Sequence, residues 1–163
     1  MKKFIDKSLH IAKLYVKALP LDENKKDYVI GCCDYSYISN DYVVKDARTK
    51  VNQIVNPYTI CRNSCITDKN GFYVYEYDLL KLTHGLKSSC YGFLVWDEFY
   101  NSWKIRRRTD STAYNNLDEW TIEVVGNIVL SDADAEIIYK QEREEDAKQS
   151  FIDASYCPSK FRR

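Results

Sequence analysis

Along the chain, runs of apolar, β-branched and aromatic residues alternate with short polar stretches that carry turn chemistry. Residues 11–20, "IAKLYVKALP", form the first such run and "DYVIGCCDYSYI" the next, with "LDENKK" between them. That pattern predicts a hairpin near the N-terminus. An amphipathic helix competes at the start, because Ile5, Leu9, Ala12 and Val16 recur at helical spacing. The reading adopted confines that helix to the first dozen residues. A short strand follows around Tyr42 to Lys45, then a linker ending at Pro57. "FYVYEYDLLKL", "YGFLVWDEF", "SWKIRRR" and "WTIEVVGNIVL" predict four further strands, divided by "TDKNG", "EFYNS" and "TDSTAYNN". Short strands in succession without a helical period between them point to a small antiparallel barrel. In "DKNG", Asn70 and Gly71 are the residues expected to adopt left-handed conformations, so residues 72–82 become one barrel strand.

The pattern changes after Leu130. Ser131 reads as an N-cap, and Asp132 and Asp134 complement the positive end of a helix dipole, so a helix is expected over residues 132–150. Ala133, Ile137 and Ile138 are its candidates for docking on the barrel. "EREED" is too polar for burial, and the tail "SYCPSKFRR" is short and basic at its end.

Composition refines this only modestly. With 163 residues, 24 basic and 24 acidic, the chain has no net charge to draw it to nucleic acid or a membrane. Fourteen tyrosines against five glycines and three prolines favour strands first and binding surfaces second. The start "MKKFIDKSLHIAK" is broken by charge and does not read as a secretory signal. No run approaches the ~18 apolar residues of a membrane span. A cytoplasmic protein with reduced thiols is therefore expected.

The segment "ICRNSCITDKNGFYVYEYDLLKL" resembles the signature of YopX-type proteins of phages and prophages. The matching residues are Asp68, Lys69, Asn70 and Gly71, followed by Tyr75, Glu76 and Asp78. "YGFLVWDEFYNSWKI" is similar to that family's central hairpin, with Trp96 and Asp97 in place. "TIEVVGNIVLSDADAE" is similar to its closing strand and helix start through Glu123, Val124, Gly126, Asn127 and Ile128. "KALPLDENKKDYVIG" resembles its opening hairpin, and "VNPYTI" the approach to the signature. The resemblance covers residues 14–140 as an ordered set of individually unspecific motifs. Cys65 and Tyr77 stand where the family carries glycine, which puts the backbone geometry at both positions in question. The resemblance implies a mainly β fold: an SH3-like, partly open antiparallel β-barrel with an additional N-terminal hairpin and a C-terminal α-helix. It implies oligomer formation more weakly, and no catalytic residues.

Candidate chemistry is sparse. Cys61 and Cys65 have three residues between them and Cys32 and Cys33 are adjacent, but neighbours on a strand face opposite ways and cannot easily share a zinc ion. His10 and His84 have no spacing that completes a metal site, and nothing places His84 beside a cysteine nucleophile. Glu76, Asp78, Asp97 and Glu98 read as acids on the wet face of a half-buried sheet. "KIRRR" places Lys104, Arg106 and Arg108 on one strand face and Trp103, Ile105 and Arg107 on the other, a stripe able to meet phosphates. The C-terminal helix carries seven acidic against three basic residues between Ser131 and Ser150. A solvated outer face with pairs such as Glu144 with Lys148 accounts for it more simply than mimicry of nucleic acid.

These readings combine into three segments: 1–57 with the added hairpin, 58–130 as the barrel, and 131–163 as acidic helix and basic tail. The expected function is that of a non-enzymatic phage or prophage accessory protein without metal or cofactor. It would bind a host or defence protein in the cytoplasm, as an anti-CRISPR-type or other takeover inhibitor does. Partner contacts are expected at Lys104, Arg106, Arg107 and Arg108, at Glu142, Glu144, Glu145 and Asp146, and at Tyr156, Phe161, Arg162 and Arg163. A nucleic-acid-binding module centred on residues 104–108 and a structural homo-oligomer subunit are the alternatives.

Overall fold

The computed structural model describes residues 15–22, 24–25, 27–84, 89–107 and 120–155. Its strands are β1 (Tyr15–Ala18), β2 (Val29–Ser36), β3 (Asp41–Asp46), β4 (Asn52–Ile54), β5 (Cys61–Thr67), β6 (Tyr73–Tyr75), β7 (Asp78–Thr83), β8 (Cys90–Asp97), β9 (Ser102–Arg106) and β10 (Thr121–Asn127). A 3-10 turn at Pro57–Thr59 precedes β5, and helix α1 (Asp132–Ser155) ends the described chain. The strands form a six-stranded sheet in the order β4-β3-β2-β1-β5-β6 and a four-stranded sheet in the order β10-β7-β8-β9, antiparallel throughout. The expected class holds: mainly β, with a C-terminal helix and sheets that do not close into a barrel. The N-terminal hairpin is β1–β2, and β1 also pairs with β5, so the larger sheet draws strands from both sides of residue 57. The N-terminal dozen residues, with their helix-or-strand question and His10, lie outside the described residues.

Three apolar clusters hold the layers. Val74, Leu80, Leu82, Leu94, Ile105 and Ile122 join β6 of the first sheet to one face of the second. Leu79, Phe93 and Val95 lie on the opposite face of that sheet, where Ile138 of α1 packs on them. Because both faces are covered, β7 is buried along most of its length and reads as a continuous apolar run, not an alternating one. Ala18, Val29, Val44 and Val55 form the third cluster, under the six-stranded sheet.

One expected strand is two. Residues 72–82 break at Glu76 and Tyr77, and the chain passes there from the first sheet to the second. Tyr77 makes the switch with a left-handed backbone (φ 62°), and Cys65 is left-handed as well (φ 63°). Both residues thus hold a backbone conformation that glycine adopts more readily. In the "DKNG" turn only Gly71 of the expected pair is left-handed, at φ 83°. Asp68 builds the rest of that turn: its Oδ1 accepts from the N–H groups of Asn70 (2.8 Å) and Phe72 (2.9 Å). Its Oδ2 accepts from Val124 N–H at 3.2 Å, and Lys69 N–H donates to the Ile122 carbonyl, so the turn lies along the outer edge of β10.

Helix α1 starts where its cap predicts, with Ser131 Oγ accepting from Asp134 N–H, and it runs on to Ser155. Asp134 in turn accepts from Asn127 N–H at 2.9 Å. A Cβ on Gly126 would fall 2.3 Å from that carboxylate, so glycine leaves the space the cap occupies. Among the docking residues expected for the helix, Ile138 is buried, while Ala133 and Ile137 are exposed.

Candidate functional site

The acids of the signature do not face water. Asp78 is 0% and Glu76 6% exposed, which corrects the wet-face expectation for both. Asp78 Oδ1 takes the Lys17 ammonium at 2.6 Å and the Asn127 amide at 2.9 Å, and its Oδ2 accepts from Tyr75 N–H at 2.8 Å. Lys17 Nζ also lies over the rings of Tyr75 (4.9 Å) and Tyr28 (5.1 Å). Burial pushes the Asp78 carboxyl up against the opposing pull of Lys17, Asn127 and the Tyr75 N–H. Glu76 is gripped by both sides of the Arg62 fork, Nε and Nη2, each at 2.7 Å. The Arg62 guanidinium in turn spans the edge-packed pair Trp96 and Trp103 at 5.8 Å and 5.7 Å. Lys17 and Tyr75 of the first sheet and Asn127 of the second meet on Asp78, which makes this centre a structural clamp between the sheets.

The cysteines behave as packing groups. Cys61 is buried and receives the Asn127 amide at 3.7 Å, and burial pushes its thiol up to about 12, far from a thiolate at neutral pH. Cys33 packs on the cluster under the first sheet while its neighbour Cys32 is exposed, the two faces expected of adjacent strand residues. The described cysteines are free thiols, and His84 stacks at a tilt on Trp120. Among the described residues no group of three or more His, Cys, Asp and Glu is arranged to hold a metal ion, and no helix is long and apolar enough to cross a membrane.

The basic strand is not an open stripe. Lys104 is only 5% exposed, which corrects its assignment as a contact residue: it lies opposite Val95 in the β8–β9 register. Its Nζ bonds Asp97 Oδ2 at 2.9 Å and sits 3.6 Å from the Tyr100 ring centroid. Arg106 is half-buried opposite Phe93. Arg107 forms an ion pair with Glu145 of α1, so two of the expected contact residues satisfy each other. Along the helix, Glu144 and Asp146 are exposed, Glu142 is half-buried, and Arg143 pairs with Glu136 at 2.5 Å. Arg108, Tyr156, Phe161, Arg162 and Arg163 lie outside the described residues. Gln141, which nothing in the pattern singles out, clasps Tyr91: its amide oxygen accepts from Tyr91 N–H (2.8 Å) and its NH2 donates to Tyr91 C=O (3.1 Å).

The surface most suited to binding lies at the hairpin tips. Tyr37 and Ile38, in the β2–β3 turn, are 89% and 101% exposed. Phe99 and Tyr100, in the β8–β9 turn, are largely exposed and packed edge-to-face at 4.9 Å. Tyr35 packs edge-on against both Tyr37 and Tyr42, each at 5.1 Å between ring centroids. These three tyrosines and Asp41 line a groove of about 690 Å³ that continues to Leu21, Val55 and Pro57. Sequence reasoning missed this set, although "SYISND" and "DEFYNS" carry the signal: a two-strand turn has no core beneath it in which to bury large side chains. No protein-family model, no curated protein and no solved structure matches the chain.

Proposed function

We propose that this chain is a non-enzymatic binding protein that engages a protein partner through its aromatic hairpin tips. The observation that carries the reading is the near-complete exposure of Tyr37, Ile38 and Phe99 on two hairpin turns. Rigid, exposed aromatic residues supply contact area at low entropic cost and are enriched among interface hot spots. The YopX-type resemblance supports a phage or prophage setting, in which a host or defence protein is the partner, as for an anti-CRISPR-type or other takeover inhibitor. Pairing of Lys104 with Asp97 and of Arg107 with Glu145 counts against the nucleic-acid alternative, since neither cation is left for a phosphate.

The test is affinity capture from bacterial lysate with the full chain, compared with two double variants, Tyr37→Ala/Ile38→Ala and Phe99→Ala/Tyr100→Ala. At least one should lose the captured protein by about tenfold or more while keeping its melting temperature. Equal capture by all three would reject the hairpin tips as the contact surface.

A further inference from the structure

Two lysines of this fold are held in the same manner. Lys17 sits between the Asp78 carboxylate and the faces of Tyr75 and Tyr28, and Lys104 between the Asp97 carboxylate and the face of Tyr100. In each case a carboxylate supplies the counter-charge and tyrosine supplies the negative face of its ring. The groove at the β2–β3 tip repeats these ingredients without the cation. Tyr35, Tyr37 and Tyr42 line it together with Asp41, and no lysine or arginine is among its lining residues. The Asp41 carboxylate has no hydrogen bond or ion pair among the described residues, and its strand neighbour Tyr42 presents an exposed ring.

We infer that this groove receives a basic side chain, arginine above all, from the partner protein. This rests on the binding reading above and assigns the chemistry of one of its contacts. A guanidinium is flat, stacks on tyrosine, is weakly hydrated and can meet a carboxylate with two parallel N–H groups, so it uses the rings and Asp41 at once. An ammonium meets the same groups as a point charge and gains less from stacking.

The test is an NMR titration of the full chain, with labelled tyrosine rings, by the peptide acetyl-Gly-Arg-Gly-amide and by its neutral citrulline isostere. The expected result is a saturable shift of the Tyr35, Tyr37 and Tyr42 rings with the arginine peptide, about tenfold weaker with citrulline. Asp41→Asn and Tyr37→Ala should each weaken the arginine peptide by about fivefold or more; Tyr37 is exposed, and Asp41→Asn keeps the size of the half-buried side chain, so an unchanged melting temperature is expected of both. Equal response to citrulline, or no ring shift at millimolar peptide, overturns the inference. So does a shift of the same rings on deleting residues 156–163, which would make the chain's own Arg162 or Arg163 the occupant. If the arginine peptide fails while Tyr37→Ala/Ile38→Ala still abolishes partner capture, the arginine assignment falls and the hairpin-tip reading stands. If the peptide binds as expected but the tip variants keep the partner, the groove's cation preference holds and the hairpin-tip reading falls.

Discussion

Asp78 shows how one residue's role depends on partners distant in sequence. Lys17 is 61 positions away and Asn127 is 49, yet both reach the same carboxylate oxygen. Replacing Asp78 by alanine leaves the Lys17 ammonium buried without a counter-charge and frees the Tyr75 N–H. The expected cost is about 3–5 kcal/mol, the usual penalty for breaking a buried pair by removing one partner. Urea denaturation measures it, and a loss below about 1 kcal/mol would mean the pair is not closed off from water. This role was illegible from the residue's own surroundings. "YVYEYDLL" looks like an alternating strand with its acids outward, and only the break at Tyr77 turns them in. Tyrosine is not a residue from which a left-handed backbone is expected, so the change of sheet had no local signal.

At the scale of elements, the strongest patterns were legible and the junctions were not. The N-terminal hairpin, the central strands and the Ser131 cap follow from apolar runs, turn residues and capping chemistry. The burial of Lys104 escaped because Asp97 and the Tyr100 ring of its own hairpin fold onto its ammonium, and a strand pattern alone does not show such a contact. Gln141 anchors the helix by extending the hydrogen bonding of β8 past the point where β9 stops pairing. Gln141→Ala should cost about 1–3 kcal/mol and speed amide hydrogen exchange at Tyr91, with little change at Leu80 across the sheet. Unchanged exchange at Tyr91 would show that the clasp is dispensable.

The turn that seals β10 makes its own prediction. Burial acts to raise the Asp68 carboxyl, but the N–H groups of Phe72, Val124 and Asn70 outweigh it and hold the group below the ordinary carboxylate value. In Asp46 the N–H groups of Thr49 and Arg48 likewise prevail over burial. Both folded values lie below the unfolded one of about 3.9, so the stability they add is complete above that pH. It is lost as pH falls through the folded values. Unfolding free energy measured from neutral pH to about pH 2 should fall steeply in the wild type below about pH 4. Asp68→Asn should be less stable at neutral pH and show a shallower acid decline. An equally steep decline in that variant would remove Asp68 as a contributor.

The chain carries no net charge, and its described residues form a frame of two sheets and one α-helix that presents aromatic residues at its turn ends. Most of its charged groups near the proposed contact strand are spent internally, on the Lys17–Asp78, Arg62–Glu76, Lys104–Asp97 and Arg107–Glu145 pairs. On the binding reading proposed above, shape and aromatic surface, with the Asp41 carboxylate, are the means of recognition. The central claim is that partners are met at the hairpin tips, and site-directed photo-crosslinking in bacterial cells addresses it most directly. A photoreactive phenylalanine analogue is placed at Tyr37, at Phe99 and, as a control on the exposed β3–β4 turn, at Arg48. The account predicts that Tyr37 or Phe99 yields a discrete crosslinked protein that is absent from the Arg48 control. Crosslinks of equal yield and identity from all three positions, or none from either tip, would contradict it.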